Sequence, residues 1–209
     1  MAFFTFEGID GSGKSSLLKN FADHLKALGL PVEITREPGG SELGRSLREM
    51  LLKTTGTPPC PEAELLLYEA DRAQHVAVHI RPWLEKKVWV LSDRFGDSSL
   101  AFQGAGRKIP QEKVKWLNEF ATGGLLPDLT VIVDCPVEVS LARREKREKE
   151  ANTKPDRFEK ETAIFHQAVR DEYLKMAKTH SRFYILDGTK NQKAMLEELL
   201  LECKKRKFL

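Results

Sequence analysis

The chain has 209 residues, 41% hydrophobic and 31% charged, which is enough apolar material for one sizeable core in an ordinary soluble globular protein. Lys and Arg outnumber Asp and Glu only 34 to 31, too small an excess to mark a nucleic-acid-binding surface. The three cysteines, Cys60, Cys135 and Cys203, lack CxxC spacing, which argues against a disulfide framework or zinc site and suits a reducing, cytoplasmic setting. No stretch approaches 18 apolar residues and a strand begins almost at once, so neither a membrane span nor a secretory leader is expected.

In chain order, short apolar runs rich in Val, Ile and Phe predict strands at 2–6, 32–35, 88–91, 129–133 and 183–186, each buried on both faces. Helical patterns fall between them at 14–28, 42–53, 62–84, 97–104, 110–121, 136–148, 157–179 and 190–206. This alternation predicts an α/β fold: a five-stranded parallel sheet with helices on both faces, forming one domain over 1–209. The dense charge of "ARREKREKEANTKPDRFEKE" (142–161) marks the one compositional shift. Its middle, 148–155, reads as a flexible connection within a mobile lid region around 143–160. The basic tail, Lys204–Lys207, complements a helix C-terminus.

Immediately after the first strand, "FEGIDGSGKSS" (6–16) contains Gly8, Ile9, Asp10, Gly11, Ser12, Gly13, Lys14 and Ser15 in the pattern G-x-x-x-x-G-K-[ST]. Glycines let such a loop curl its N–H groups inward around phosphate oxygens, and the following helix points its positive end at the same place. Lys14 would reach the β/γ-phosphates of a bound nucleotide, Ser15 would ligate Mg²⁺, and Ser16 completes the loop. The strand at 88–91 delivers Asp93 and Arg94: a carboxylate to hold the metal shell and a guanidinium to grip a second phosphate. Asp93–Gly96 also fits the D-x-x-G of GTPase switches, but no N-K-x-D follows a later strand, where Asp187-Gly188-Thr189-Lys190 stands instead. The histidines show no metal-ligand spacing.

Together "FEGIDGSGKSS", "TREPGG" (35–40), "LYEADRAQH" (67–75), "SDRFGDSSLAFQG" (92–104) and "DRFE" (156–159) resemble bacterial thymidylate kinases, in family order over nearly the whole chain. The resemblance implies transfer of the ATP γ-phosphoryl group to dTMP, with Mg²⁺, in a cytoplasmic homodimer. It implies that Asp10 and Glu37 lie near the acceptor sugar and the metal, that Pro38 shapes the acceptor loop, and that Arg48 and Arg94 are acceptor-side arginines. Tyr68, Arg72, Ser99, Phe102 and Gln103 would surround thymine and deoxyribose, with Arg72 at the pyrimidine 4-position, and Arg143 and Arg147 would be catalytic lid arginines. Two residues depart from the family pattern: Tyr68 stands where Phe is usual, and Ser16 where Thr is commoner. The competing readings are a kinase for another nucleotide or a deoxynucleoside, and a nucleotide-dependent switch without turnover.

Overall fold

A computed structural model describes residues 1–152 and 155–209. Five strands, β1 (Phe3–Glu7), β2 (Val32–Arg36), β3 (Trp89–Asp93), β4 (Leu129–Asp134) and β5 (Phe183–Asp187), form one sheet in the order β2-β3-β1-β4-β5. Every pairing is parallel, and Phe4 on the central strand lies in register with Leu91 and Leu129. The expected α/β architecture is therefore present. The three inner strands are buried almost throughout, as continuous apolar runs should be. The edge strands differ from expectation: Ile34 and Ile185 face outward, because each edge has a neighbour on only one side.

Helices α1 (Lys14–Ala27), α2 (Glu42–Leu52) and α3 (Pro61–His75) follow the predicted order. The single helix expected at 62–84 instead passes from α3 through a π-helical turn (Val76–Ile80) into α4 (Arg81–Glu85). Pro82 has no N–H to return to the preceding turn, so the regular ladder cannot continue there. The expected helix at 97–104 is a short α5 (Gly96–Ser99) running into a second π-helical segment, Leu100–Gly106. The remaining helices are α6 (Gln111–Thr122), α7 (Val137–Ala151), α8 (Ala163–Ala177) and α9 (Gln192–Lys205).

Two expectations about the charged region need correction. Helix α7 continues to Ala151 before Asn152 closes it in a left-handed conformation, so much of the expected connection at 148–155 is helical. Thr153 and Lys154, also within that stretch, lie outside the described residues. The helix expected from 157 begins only at Ala163. Upstream, the Asp156 carboxylate accepts the N–H groups of Phe158 and Glu159, and Thr162 accepts that of Phe165. These local bonds offer the backbone an alternative to helix and move the start downstream.

One core joins β1, β3 and β4 to α1 and α9 through Phe4, Phe6, Leu17, Phe21 and Leu199; on the opposite face Ile132, Phe165, Val169 and Tyr173 pack under α8. Loops at the C-terminal ends of β1, β2 and β3 converge on one crevice, the usual ligand position in an open parallel sheet. Phe21, fully buried, stacks on Phe4 at 5.7 Å and meets Phe6 and Trp89, clamping α1 behind the loop it supports. Phe21→Ala is expected to cost about 3–5 kcal/mol in urea unfolding; a loss below about 1 kcal/mol would show that α1 is held elsewhere.

Candidate active site

The turn after β1 leads through Gly8–Gly13 into α1. Gly8 (φ 137°) and Gly13 (φ 96°) adopt conformations that favour glycine, and a Cβ on Gly8 would stand 2.6 Å from the Val133 carbonyl. Lys14 is buried, with Nζ 3.2 Å from Asp10 Oδ1 and 3.9 Å from Asp93 Oδ1. Ser15 Oγ donates to Asp93 Oδ2 at 2.5 Å. A cleft of about 410 Å³ is lined by Asp10, Gly11, Gly13, Lys14, Ser15 and Ser16 of this turn, by Arg36 and Asp93, and by Arg143 and Arg147 of α7. Gly8, Ile9 and Ser12 do not line it: Ile9 packs in the core with Phe102 and Ile132, and Ser12 is fully buried.

The second cavity adjoins the first, sharing Asp10, Glu37, Arg48, Arg94 and Asp156 as a common wall. Its other lining includes Pro38, Tyr68, Arg72, Ser98, Phe102, Gln103 and Phe158. Arg94, the residue after β3, has φ 73°, donates from Nη2 to Asp10 Oδ1 at 2.9 Å and lies over the Phe102 ring. Burial alone would raise the Asp10 pKa, but Lys14 and Arg94 outweigh it and hold this carboxyl well below the usual range. The Glu37–Pro38 peptide is cis, and Arg48 donates to the Pro38 carbonyl at 3.0 Å. The π-helical segment brings Phe102 and Gln103 to the cavity, a common use of such turns.

Several expected side chains are more committed than the sequence suggested. Arg72 is almost wholly buried and gives Nε to Glu37 at 2.8 Å, Nη1 to Glu69, Asn118 and Ser99, and Nη2 to the Phe95 carbonyl. Only one of its five N–H protons is left for the cavity. Ser99 does not line that cavity; it accepts from Arg72, and Ser98 holds the lining position instead. Both Glu37 oxygens are engaged, one by Arg72 and one by His75 Nδ1, so Glu37 acts here as an anchor. Arg143 donates to the Gly188 carbonyl at 2.6 Å and Arg147 pairs with Glu159; both residues are exposed.

Sequence reasoning missed Phe158 as an aromatic wall, 6.0 Å edge-on from both Tyr68 and Phe102. It also missed Glu64, a fully buried carboxylate that takes Gln103, Arg107 and Arg157 together. The "DRFE" run contained Phe158 and Arg157, but no spacing links them to residues 64 or 68. Arg36, Ser98 and Asn118 gave no signal beyond their place near motif residues. Among the described residues no group of three or more His, Cys, Asp and Glu forms a metal-binding cluster. Ser15 and Asp93 offer a hydroxyl and a carboxylate, an oxygen set that fits a hard cation carried partly by water and substrate phosphates.

A phosphate-binding loop, with its lysine and hydroxyl, opening onto a second cavity walled by arginines and aromatic rings defines a P-loop kinase that phosphorylates a small acceptor. A family model described as thymidylate kinase matches residues 6–199. Over 197 residues the chain is 47% identical to the thymidylate kinase of Carboxydothermus hydrogenoformans, covering 94% of each protein. It is 45% identical to that of Bdellovibrio bacteriovorus over all of this chain and 98% of the relative, and 46% identical to that of Nitratidesulfovibrio vulgaris (strain Miyazaki F) over 95% and 94%. The chain belongs to the thymidylate kinase family, ATP-dependent phosphotransferases that convert dTMP to dTDP.

Behind the turn that follows the cis Glu37–Pro38 peptide, Asp71 is fully buried and accepts the Gly39 N–H at 3.1 Å. Burial, reinforced by the Glu37 carboxylate, pushes its pKa up to about 6. Between its ordinary value and about 6 the folded chain binds more of this proton than the unfolded chain, so this contribution to stability falls as pH rises through that window. Asp71→Asn is therefore expected to exceed the wild type by about 2 kcal/mol in urea unfolding at pH 8. The advantage should fade below about pH 6, and a pH-independent difference would refute the assignment.

Proposed function

We propose that this chain makes dTDP from dTMP and ATP with the two substrates meeting end to end across the wall shared by the two cavities. That shared wall is the observation that carries the reading: Asp10 and Arg94 border both cavities, next to Lys14 on one side and Phe102 on the other. In this reading the turn Gly8–Ser16 cradles the ATP phosphates, and Lys14 neutralises charge on the transferring group. Arg94, with Arg48, holds the acceptor phosphate in line. Tyr68, Phe102 and Phe158 enclose the base, and Gln103, Pro38 and Glu37 complete the acceptor side. Ser99 supports Arg72 from behind. Ser15 and Asp93 would hold Mg²⁺, which when bound adds positive charge at the phosphates. Catalysis of phosphoryl transfer is mostly positioning and charge stabilisation, the services these side chains offer.

We further infer a single domain with a lid around 143–160, working as a homodimer in the cytoplasm. Exposed Leu43, Met50, Leu66, Trp116 and Phe120 on α2, α3 and α6 support a second copy as partner, since those helices pack side by side and leave apolar groups uncovered. Among the described residues no helix is long and apolar enough to cross a membrane.

The base specificity follows from donor arithmetic. The one uncommitted Arg72 proton can be accepted by O4 of thymine, while the amino group of cytosine would set donor against donor. Five partners fix the guanidinium, so it cannot turn away. In an ADP-release assay kcat/KM should fall in the order dTMP, dUMP, dCMP. The dCMP value should lie about 10⁴-fold below dTMP, and dUMP nearer because only a methyl contact is lost. Comparable turnover of dCMP would overturn this reading. The wild-type acceptor panel is the sound test, because Arg72→Ala would leave Glu37 and Glu69 buried without their cation.

The lid arginines are separable by their partners. With Arg143 seated on the Gly188 carbonyl and Arg147 paired with Glu159, each lines the ATP-side cleft from one face of α7. Alanine at the arginine that meets the transition state should lower kcat by roughly 10²-fold with little change in KM. Full kcat in both single variants would reduce this stretch to a solvated charged helix.

A further inference from the structure

Behind Arg94, on the side away from Asp10, lies a group of polar side chains that the phosphate chemistry leaves unused. Glu7, at the end of β1, is fully buried. Its Oε2 accepts the Ser98 hydroxyl at 2.6 Å and the Tyr173 hydroxyl at 2.7 Å, and its Oε1 accepts the Phe95 N–H at 2.8 Å. With their protons given to Glu7, both hydroxyl oxygens face Arg94 as acceptors, 3.3 and 3.4 Å from Nη1. With Glu7 ionised the chain of bonds has a direction, from guanidinium through two hydroxyls to a carboxylate. Burial pushes the Glu7 pKa up to about 7, so this direction is complete above neutral pH. The long final contacts leave Nη1 free to take a stronger oxygen partner.

The backbone carries the same message. Arg94 has φ 73°, a conformation unfavourable for any side chain but glycine and kept only where neighbours impose it. Its N–H is held by the Phe6 carbonyl, its C=O by the Ser92 hydroxyl, and the next N–H by Glu7. Glu7 thus fixes both the peptide after Arg94 and the far side of its guanidinium.

We propose that Glu7, Ser98 and Tyr173 are positioning residues that set Arg94 for the acceptor phosphate. This rests on the reading of Arg94 as the grip on that phosphate. Tyr173, from α8, carries no charge, does not line the acceptor cavity and reaches it only through Arg94, so its effect should be specific to the acceptor and should vanish with the arginine. Ser98 also borders that cavity, so Tyr173 is the discriminating position.

The test is steady-state ADP release by the full chain, with dTMP varied at saturating ATP and then the reverse, for Ser98→Ala, Tyr173→Phe, Arg94→Ala and the Tyr173→Phe/Arg94→Ala pair. Glu7→Gln would set a buried amide against two hydroxyl donors and endangers the fold; Ser98→Ala and Tyr173→Phe each remove one hydroxyl only. Each should lower kcat/KM for dTMP about tenfold and leave KM for ATP unchanged. Tyr173→Phe should add nothing once Arg94 is alanine. Wild-type behaviour toward dTMP in both single variants, beside a damaged Arg94→Ala, would overturn the relay and spare the phosphate grip. An equal loss from Tyr173→Phe with or without Arg94 would reduce Tyr173 to core packing and also overturn it. An Arg94→Ala enzyme with undiminished kcat/KM would remove the grip, and the relay with it.

Discussion

Asp10 Oδ1 is the point on which the crevice depends. Lys14, from the first turn of α1, and Arg94, from the end of β3, both donate to it. Without that shared anion two buried cations would face each other in a low-dielectric cleft, at a cost of several kcal/mol. With it they form a compact, pre-assembled positive site. Its donors are already oriented, so an anion taken up there would require little reorganisation.

A second buried charge system surrounds Arg72 beside the adjoining cavity and obeys different constraints. Arg72 joins α3 to the turn after β2 through Glu37, to α6 through Asn118 and to the turn after β3 through the Phe95 carbonyl. Replacing such a network with apolar side chains costs little in general, and often stabilises. What it supplies here is rigidity: a guanidinium held by five partners presents its remaining proton in one direction. The Thr35–His75–Glu37 contacts extend the same rigidity to the end of β2.

What the sequence revealed follows from how local each signal is. The loop at residues 8–15 is a contiguous run whose glycines, lysine and serine act through neighbouring backbone, so it is legible without knowing the fold. Arg94 was legible because the residue after a buried strand points into the crevice of a parallel sheet. Tyr68, Arg72, Phe102 and Gln103 were readable only through the family resemblance. Glu7 with Tyr173, 166 residues apart, and Arg72 with Asn118, 46 apart, depend on packing that no periodicity encodes. The misplaced helix start at 157 has a local cause that the pattern concealed: Asp156 caps the turn that an apolar count alone would make helical.

The π-helical segment Leu100–Gly106 sets a limit on how this pocket can diversify. A wider turn holds one more residue than an α-helical turn, and each residue along a helix is rotated by about 100° from the last. Loss of a single residue here would tighten the segment and swing Phe102 and Gln103 off the cavity wall together, while Arg107 left its partner Glu64. Point substitutions at 102 or 103 change one contact, whereas a one-residue deletion erases the pocket's register. The wall of this cavity is thus tolerant of exchanged side chains at these positions but sensitive to the length of the segment that carries them.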